Sequence, residues 1–229
     1  MSLCENVALR REISQRNPLR MQRKRSKSWA NPFGAMRSRF RDARAIREWR
    51  KAQNPGPPPP VLKHQVVRDY AERFGLSILV ETGTFKGDMI YAVESLFKEV
   101  HSIELGQQLF EEARQRFAAH PKVHLHQGNS ATVLPQLLKS LQDPVLFWLD
   151  GHFSQGITAR ADKDTPIVEE IAAIYAHNAT GHVVLIDDAR LFTGANDYPS
   201  LEELRRLLDK WSPGTKLHVS DDIIRLHKH

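Results

Sequence analysis

From Val61 onwards, short apolar segments alternate with amphipathic segments of about ten to fifteen residues. This alternation constrains the fold more than any other feature, because short strands separated by helices form a parallel sheet with helices on both faces. Five strands are predicted in this way, at 77–81, 100–104, 123–126, 145–150 and 182–187. Helices are predicted at 61–74, 86–97, 107–119, 131–141, 165–177 and 201–211.

The chain ends in two more strand segments, 216–220 and 222–226, separated by a very short turn. A turn of this length cannot contain the crossover helix that parallel neighbours require, so the two segments predict an antiparallel hairpin. The sequence therefore predicts an α/β fold: a three-layer sandwich around a mostly parallel seven-stranded sheet with an antiparallel last strand.

The N-terminal part of the chain differs from the rest in charge. Residues 1–63 contain 16 Lys and Arg against 4 Asp and Glu, a net charge of +12, whereas the remainder has a net charge of −6. Apolar residues recur every three or four positions over 35–51, between arginines, and predict a basic amphipathic helix. The segment 54–60, NPGPPPP, breaks any helix. We therefore predict a basic, partly helical or flexible extension with a proline-rich linker at 1–60, followed by one domain at 61–229.

This basic extension is either a solvated arm or a surface that binds nucleic acid or an anionic membrane. The apolar runs are far shorter than the roughly 20 residues of a membrane helix, so no membrane span is predicted. No apolar stretch follows the basic N-terminus, which argues against a secretory signal, although an Arg-rich leader is also typical of organellar transit peptides. Cytoplasm is the default expectation. Cys4 is the only cysteine, which excludes an internal disulfide framework.

In open α/β sheets, ligands bind beyond the carboxyl ends of the strands. The first predicted strand ends in the turn ETGTFKG, which contains Glu81, Thr82, Gly83, Thr84 and Gly87. Its glycines allow a tight turn and a close approach of the backbone to a ligand before a helix begins. A carboxylate at Glu81 would repel a dinucleotide pyrophosphate and suits a ligand with an amine or sulfonium cation. The turn therefore favours S-adenosylmethionine over NAD.

Two further segments after strands fit the same cofactor. Glu104 ends the second strand about twenty residues beyond the turn, where a carboxylate can accept hydrogen bonds from both ribose hydroxyls. Asn129 and Ser130 follow the third strand, where they can contact the adenine edge, and Ser130 also suits the N-cap of the next helix. Asp150, after the fourth strand, can hydrogen-bond either the cofactor or loop amides.

This series resembles class I S-adenosylmethionine-dependent methyltransferases over roughly residues 77–211. The turn ETGTFKG is similar to their first motif, Glu104 to their ribose acid, and the loop GNS to their adenine-side loop. The resemblance implies a Rossmann-like sheet of seven strands with the seventh antiparallel. Many members have an Asp before the adenine contact, and this chain has Asn129 and Ser130 there instead.

The fourth and fifth strands both end in carboxylates: Asp150 follows one, and Asp187 and Asp188 follow the other. Because neighbouring parallel strands end at the same edge, we expect the three side chains to lie together. Clustered carboxylates repel one another unless a proton or a cation neutralises them, and oxygen ligands suit magnesium or manganese. A metal here could orient substrate oxygens and activate a hydroxyl. The alternative is structural, with the aspartates accepting hydrogen bonds from loop amides.

His152 lies two residues beyond Asp150, where a general base is needed to deprotonate a hydroxyl, and an imidazole has a suitable pKa. The segments DGHFS and IDDAR are similar to those of the macrocin-type sugar O-methyltransferases, some of which use magnesium. The resemblance implies Asp150, Asp187 and Asp188 as metal ligands and His152 as the base.

These observations predict an S-adenosylmethionine-dependent O-methyltransferase that acts on a small hydroxylated molecule, with a saccharide or glycoside as the leading substrate. One rival is a nucleic-acid methyltransferase that uses the basic extension. Enzymes that methylate exocyclic base amines usually carry Asp or Asn followed by Pro-Pro-aromatic after the fourth strand, and this chain has DGHF. The other rivals are a noncatalytic binding protein of the same fold and an NAD-linked oxidoreductase, whose GxGxxG turn is absent here.

Overall fold

The computed structural model describes residues 32–52, 56–150 and 165–228, with side chains from residue 41 onwards. The chain forms two units, Met1–Ser38 and Arg39–His229. The first unit is described only where helix α1 (Pro32–Lys51) begins. The second unit contains the rest of α1 and every other element, so all that follows concerns this unit.

A seven-stranded sheet forms the centre of the second unit, in the order β3-β2-β1-β4-β5-β7-β6. Strands β1 to β5 are parallel, and β7 pairs antiparallel with both β5 and β6. The strands are β1 (Ile78–Thr82), β2 (Glu99–Glu104), β3 (Val123–Gln127), β4 (Leu146–Leu149), β5 (Val183–Ile186), β6 (Lys216–Ser220) and β7 (Ile223–His227). The predicted mostly parallel sheet, the closing hairpin and the antiparallel last strand are all confirmed.

Helices cover both faces of this sheet. They are α2 (Pro60–Phe74), α3 (Asp88–Val93), α4 (Gln107–Arg116), α5 (Ser130–Leu138), α6 (Ile167–Tyr175) and α7 (Leu201–Trp211). One apolar core joins α5, α6 and α7 to the sheet, and the other joins α2, α3 and α4 to its opposite face. Strands β1, β4 and β5 are buried along their whole length, which explains their nearly continuous apolar sequences.

Local backbone geometry explains where the structure departs from the predicted boundaries. The helix predicted at 86–97 begins at Asp88, because Gly87 holds a left-handed conformation with φ 73° that a helix cannot continue. It ends at Val93 and continues as a short 3₁₀ turn, Glu94–Leu96. The other helices and strands lie within a few residues of their predicted positions.

The described part of α1 packs its apolar side chains, Ile46 and Trp49, against the core that contains α2. Trp49 also donates from its indole nitrogen to the carbonyl of Gly56 over 3.1 Å. Among the described residues, no helix combines the length and the apolar character needed to cross a membrane.

Candidate active site

The turn after β1 is built from left-handed residues. Gly83, Phe85 and Gly87 have φ values of 85°, 47° and 73°, and glycine adopts this conformation without steric cost. Gly83 donates its amide to the carbonyl of Ile103 over 2.9 Å, which ties the turn to β2. A Cβ atom on Gly87 would lie 2.5 Å from the ring of Phe117, so this position also allows α4 to approach closely. The backbone geometry thus confirms that glycine suits both Gly83 and Gly87.

Glu81 lies in β1 just before this turn and is 2% exposed. Ser102 on the neighbouring strand donates its hydroxyl to Glu81 over 2.6 Å, and Thr84 lies 2.6 Å from the same hydroxyl. Burial raises the pKa of Glu81 to about 8, with Asp150 and Glu104 adding to the effect and Ser102 opposing it. The carboxyl is therefore mostly protonated at neutral pH, whereas the sequence predicts a carboxylate.

Glu104 ends β2 and is buried at the edge of the same turn. One of its carboxylate oxygens accepts the amide of Phe85 over 2.8 Å, and the other accepts the amide of Gly106 over 2.8 Å. Each oxygen has a second lone pair, so both can also accept a ligand hydroxyl. Glu104 therefore holds the turn in shape as well as being placed for the predicted ribose contact.

Asn129, and not Ser130 as the sequence suggested, is the N-cap of α5. Its side chain accepts the amide of Ala131 over 3.0 Å, which leaves the side-chain NH₂ group for a ligand. Ser130 is buried and faces Glu170 of α6, on the side of the sheet where the hydroxyl of Thr82 is also buried. Burial raises the pKa of Glu170 to about 7, and both hydroxyls oppose this effect.

The three predicted aspartates meet at the carboxyl edge of β4 and β5. The amide of Asp150 donates to the carbonyl of Thr82 over 3.0 Å, and the amide of Asp187 donates to the carbonyl of Leu149 over 3.0 Å. Asp187 and Asp188 are 3% and 5% exposed, and Asp188 has a left-handed backbone with φ 57°. Asp150 is close enough to both Glu81 and Asp187 to raise their pKa values, so it joins the two ends of the site.

A lysine that the sequence did not single out lies among these aspartates. Lys63 of α2 donates its ammonium group to Asp187 Oδ2, and the amide of Asp188 donates to Asp187 Oδ1 over 2.9 Å. Burial favours neutral Lys63, but Asp187, Asp150 and Asp188 together raise its pKa above the ordinary value. Burial also raises the pKa of Asp187, against the effect of Lys63. Both carboxylate oxygens of Asp187 accept an N–H donor, so the pair is ionic.

The predicted magnesium site does not fit this arrangement. Lys63 pairs with Asp187, and Arg190, which also pairs with Asp222, donates to Asp188 over 2.7 Å, so cationic side chains of the protein itself already pair with two of the three carboxylates. Within residues 41–52, 56–150 and 165–228, no three His, Cys, Asp or Glu side chains are arranged to hold a metal ion. The aspartates are together as expected, but their described partners are cationic side chains.

The segments that follow β4 and β5 are described to different extents. His152 lies outside the described residues, as does most of the loop that follows it. The segment after β5 carries Tyr198, whose ring packs edge-on against Phe192 with centroids 5.4 Å apart. Burial raises the pKa of the Tyr198 hydroxyl, and Asp188 and Asp150 add to the effect. Tyr198 is therefore a hydrogen-bond donor beside the aspartates and not a base.

Sequence reasoning missed Lys63, Ser102, Glu170 and Tyr198. A signal existed for Lys63, because it shares a helical face with the buried residues Val66 and Val67, three and four positions later. A lysine on a buried face requires a nearby anion. No comparable signal marked the other three, which become part of the site only through contacts across the sheet.

No protein-family model matches the chain, and no curated protein sequence matches it. Solved structures do. The O-methyltransferase TomG from Streptomyces achromogenes, solved with S-adenosylmethionine, is 19% identical, with 81% of this chain and 87% of that chain covered and a TM-score of 0.54. An O-methyltransferase from Bacillus cereus, solved with S-adenosylhomocysteine, is 15% identical, with 82% and 90% covered and a TM-score of 0.53.

A third similar structure is the methyltransferase PaMTH1 from Podospora anserina, solved with S-adenosylhomocysteine. It is 17% identical, with 86% of this chain and 96% of that chain covered and a TM-score of 0.51. At these identities the likeness establishes the fold, which is the Rossmann-like fold of class I methyltransferases with seven strands in a mixed sheet.

Proposed function

We propose that this protein is an S-adenosylmethionine-dependent O-methyltransferase that acts on a small hydroxylated molecule. The observation that carries the proposal is the convergence of Glu81, Glu104 and Asn129 at the carboxyl edge of β1, β2 and β3. Glu81 lies where a cationic group is needed to ionise it, and Glu104 offers two carboxylate oxygens within the same turn. The fold shared with proteins solved bound to S-adenosylmethionine or S-adenosylhomocysteine supports the assignment.

The residues of the site fit this cofactor chemically. Glu81 can bind the cationic end, Glu104 can accept hydrogen bonds from the two ribose hydroxyls, and the side-chain NH₂ of Asn129 can donate to the adenine edge. The hydroxyl of Thr82, another predicted cofactor contact, is fully buried and interacts with Glu170, so we assign this side chain no contact with the cofactor. The backbone of Gly83, Thr84 and Gly87 shapes the turn. Ser130 and Asp150 stay predicted cofactor contacts.

When bound, the cofactor supplies a methyl group on a sulfonium, which an acceptor oxygen can displace in line. We assign His152 as the base that takes the proton of the acceptor hydroxyl, and Asp150 as the group that orients the acceptor between β1 and β4. The leading substrate remains a saccharide or glycoside, because Tyr198 and the aspartates offer donors and acceptors for several hydroxyls. Magnesium, predicted from the same aspartates, has no support from the described residues and enters no step.

A methyl-transfer assay tests this proposal. Purified protein would be incubated with methyl-labelled S-adenosylmethionine and a panel of monosaccharides, glycosides and phenols, and label transfer to oxygen would be measured by mass spectrometry. We expect transfer to at least one hydroxylated acceptor. His152→Ala should reduce transfer by about 100-fold or more while leaving S-adenosylhomocysteine binding unchanged. Binding of the cofactor without transfer to any acceptor would favour the noncatalytic alternative.

A second candidate, a nucleic-acid methyltransferase, is favoured by one observation. A cleft of about 460 Å³ between α1 and α2 is lined by Arg47, Arg50 and Lys51, and such basic side chains bind phosphates. One of them is already neutralised, since Arg50 pairs with Asp221 over 3.0 Å. A mobility shift with RNA that weakens steeply with salt and disappears when residues 1–54 are deleted would support this candidate. The domain boundary at residue 60 and a cytoplasmic location stay predictions.

A further inference from the structure

Lys63 owes its position to the packing of α2. This helix packs on β4 and β5 and buries Leu62, Val66 and Val67 against the sheet. Its first turn lies near the carboxyl edge, so the stem of Lys63 runs along the apolar face while the ammonium group reaches Asp187. The two residues are 124 positions apart in the chain.

The charges around Lys63 are unequal. Three carboxylates, on Asp187, Asp150 and Asp188, act on one ammonium group, and the side chains of Lys63 and Asp187 are only 19% and 1% exposed. Arg190 takes up part of the charge of Asp188 from the other side. An ammonium group has three N–H donors, and the bond to Asp187 uses one of them. The described contacts therefore leave donor capacity on the Lys63 ammonium, which lies among the carboxylates at the edge of β4 and β5.

We propose that the Lys63 ammonium is the resident cation of the acceptor site, in the place where a divalent metal would otherwise sit, and that it binds the acceptor oxygen. The proposal rests on the proposed function for the identity of the acceptor. A fixed cation beside the acceptor hydroxyl stabilises the oxyanion as its proton leaves to the base. It also repels a divalent cation from the same carboxylates. The substrate class that fits is a hydroxyl compound that binds without a divalent metal ion.

Manganese binding tests this proposal without a known substrate. Mn²⁺ would be titrated into the full-length protein and followed by electron paramagnetic resonance, in the wild type and in the Lys63→Met and Lys63→Met/Asp187→Asn variants. The matched control is Lys98→Met, which removes the lysine of another Lys–Asp pair, joined to Asp143 over 2.6 Å and exposed at the surface. Binding of S-adenosylhomocysteine would be measured on the same samples.

We expect the wild type and Lys63→Met to differ in one respect: only the variant binds a Mn²⁺ ion, because Asp187 and Asp150 lose the ammonium group beside them while Arg190 stays paired with Asp188. Lys98→Met should behave like the wild type, and the double variant should bind Mn²⁺ at least about tenfold more weakly than Lys63→Met. Wild-type protein that binds Mn²⁺ at Asp187 would overturn the proposal, as would a Lys63→Met variant that binds no more than the wild type. Absence of S-adenosylhomocysteine binding in the wild type would instead refute the proposed function.

A second measurement uses the wild-type protein alone and so does not depend on whether a variant folds. The ammonium ¹H–¹⁵N signal of Lys63 would be observed in wild-type protein labelled at lysine. A proton signal slow enough in exchange to be seen, and unchanged by stoichiometric Mn²⁺, is expected for an ammonium held by Asp187. Paramagnetic broadening of that signal at one equivalent of Mn²⁺ would contradict the proposal.

Discussion

The two halves of the sheet's carboxyl edge both bury carboxyl groups, but they compensate for the burial in different ways. The half formed by β1, β2 and β3 buries Glu81 beside Glu104, and neither is in a described salt bridge with Lys, Arg or His. The half formed by β4 and β5 buries Asp187 beside Asp188, and here Lys63 and Arg190 are paired with them. In the first half, burial keeps the carboxyl of Glu81 protonated. In the second half, Lys63 and Arg190 supply positive charge to the buried aspartates.

This difference indicates which half is prepared for a charged ligand. The pKa of Glu81 is raised to about 8, so a cationic ligand that approaches it gains an interaction that the free protein lacks. Asp187 and Asp188 after β5 already have their counter-charges, and they suit a neutral hydroxyl that is held by hydrogen bonds. The proposed cofactor and acceptor positions thus differ in charge in the ligand-free protein.

The largest expected effect comes from removing the cation of the acceptor half. Lys63→Met should lower the free energy of unfolding by about 3 kcal/mol, because the buried carboxylate of Asp187 loses its partner. Urea unfolding measures the change. The double variant Lys63→Met/Asp187→Leu should recover most of the loss, since it removes both charges.

The control for this prediction is the exposed pair of Lys98 and Asp143. Lys98→Met should change the unfolding free energy by less than about 1 kcal/mol, because solvent screens exposed pairs. Equal losses in Lys63→Met and Lys98→Met would show that burial does not distinguish the two pairs, and the contrast between the two halves would lose its basis.

The next effect is expected in the cofactor half. Glu104→Ala should weaken S-adenosylhomocysteine binding by about 100-fold, because the ribose contacts are lost together with the two backbone amides that shape the turn. Isothermal titration calorimetry provides the measurement. Glu99→Ala, at the opposite end of β2, is the matched control and should bind normally. Normal binding by Glu104→Ala would place the ribose elsewhere.

The fold could be predicted from the sequence because the buried strands are recognisable as short apolar segments. Strands β4 and β5 are apolar throughout, β1 is apolar up to Glu81, and the short link before β7 excludes a helix. The site positions Glu81, Glu104 and Asp150 could be predicted for a related reason, since each follows a recognisable strand and parallel strands end at one edge.

Lys63 and Glu170 could not be predicted in the same way. Their roles depend on how α2 and α6 pack on opposite faces of the sheet, and the partners are far away in the chain. The protonation of Glu81 also depends on packing, because burial in the folded protein raises its pKa and no cationic side chain among the described residues forms a salt bridge with it. The sequence specified which groups reach the edge but not which charges they carry there.

A pH-dependent effect is expected on the face of the sheet covered by α6, where Glu170 is buried. Its pKa is about 7 in the folded protein against 4.5 for the ordinary group. The folded state therefore binds the proton more tightly, and stability falls as the pH rises from 4.5 through 7. Glu170→Gln should raise the unfolding free energy at pH 8 by up to about 3 kcal/mol and leave it unchanged at pH 4. Thermal unfolding at the two pH values tests this, and a gain that is equal at both would contradict it.

The most direct test of the contrast between the halves is proton release on cofactor binding. S-adenosylmethionine would be titrated at pH 7 by calorimetry in two buffers with different ionisation enthalpies, using wild-type protein and Glu81→Gln. A cation beside Glu81 lowers its pKa from about 8, so the wild type should release up to about one proton and bind more tightly as the pH rises towards 8. Glu81→Gln should release none. Wild-type binding without proton release, or the same release from Glu81→Gln, would contradict the account.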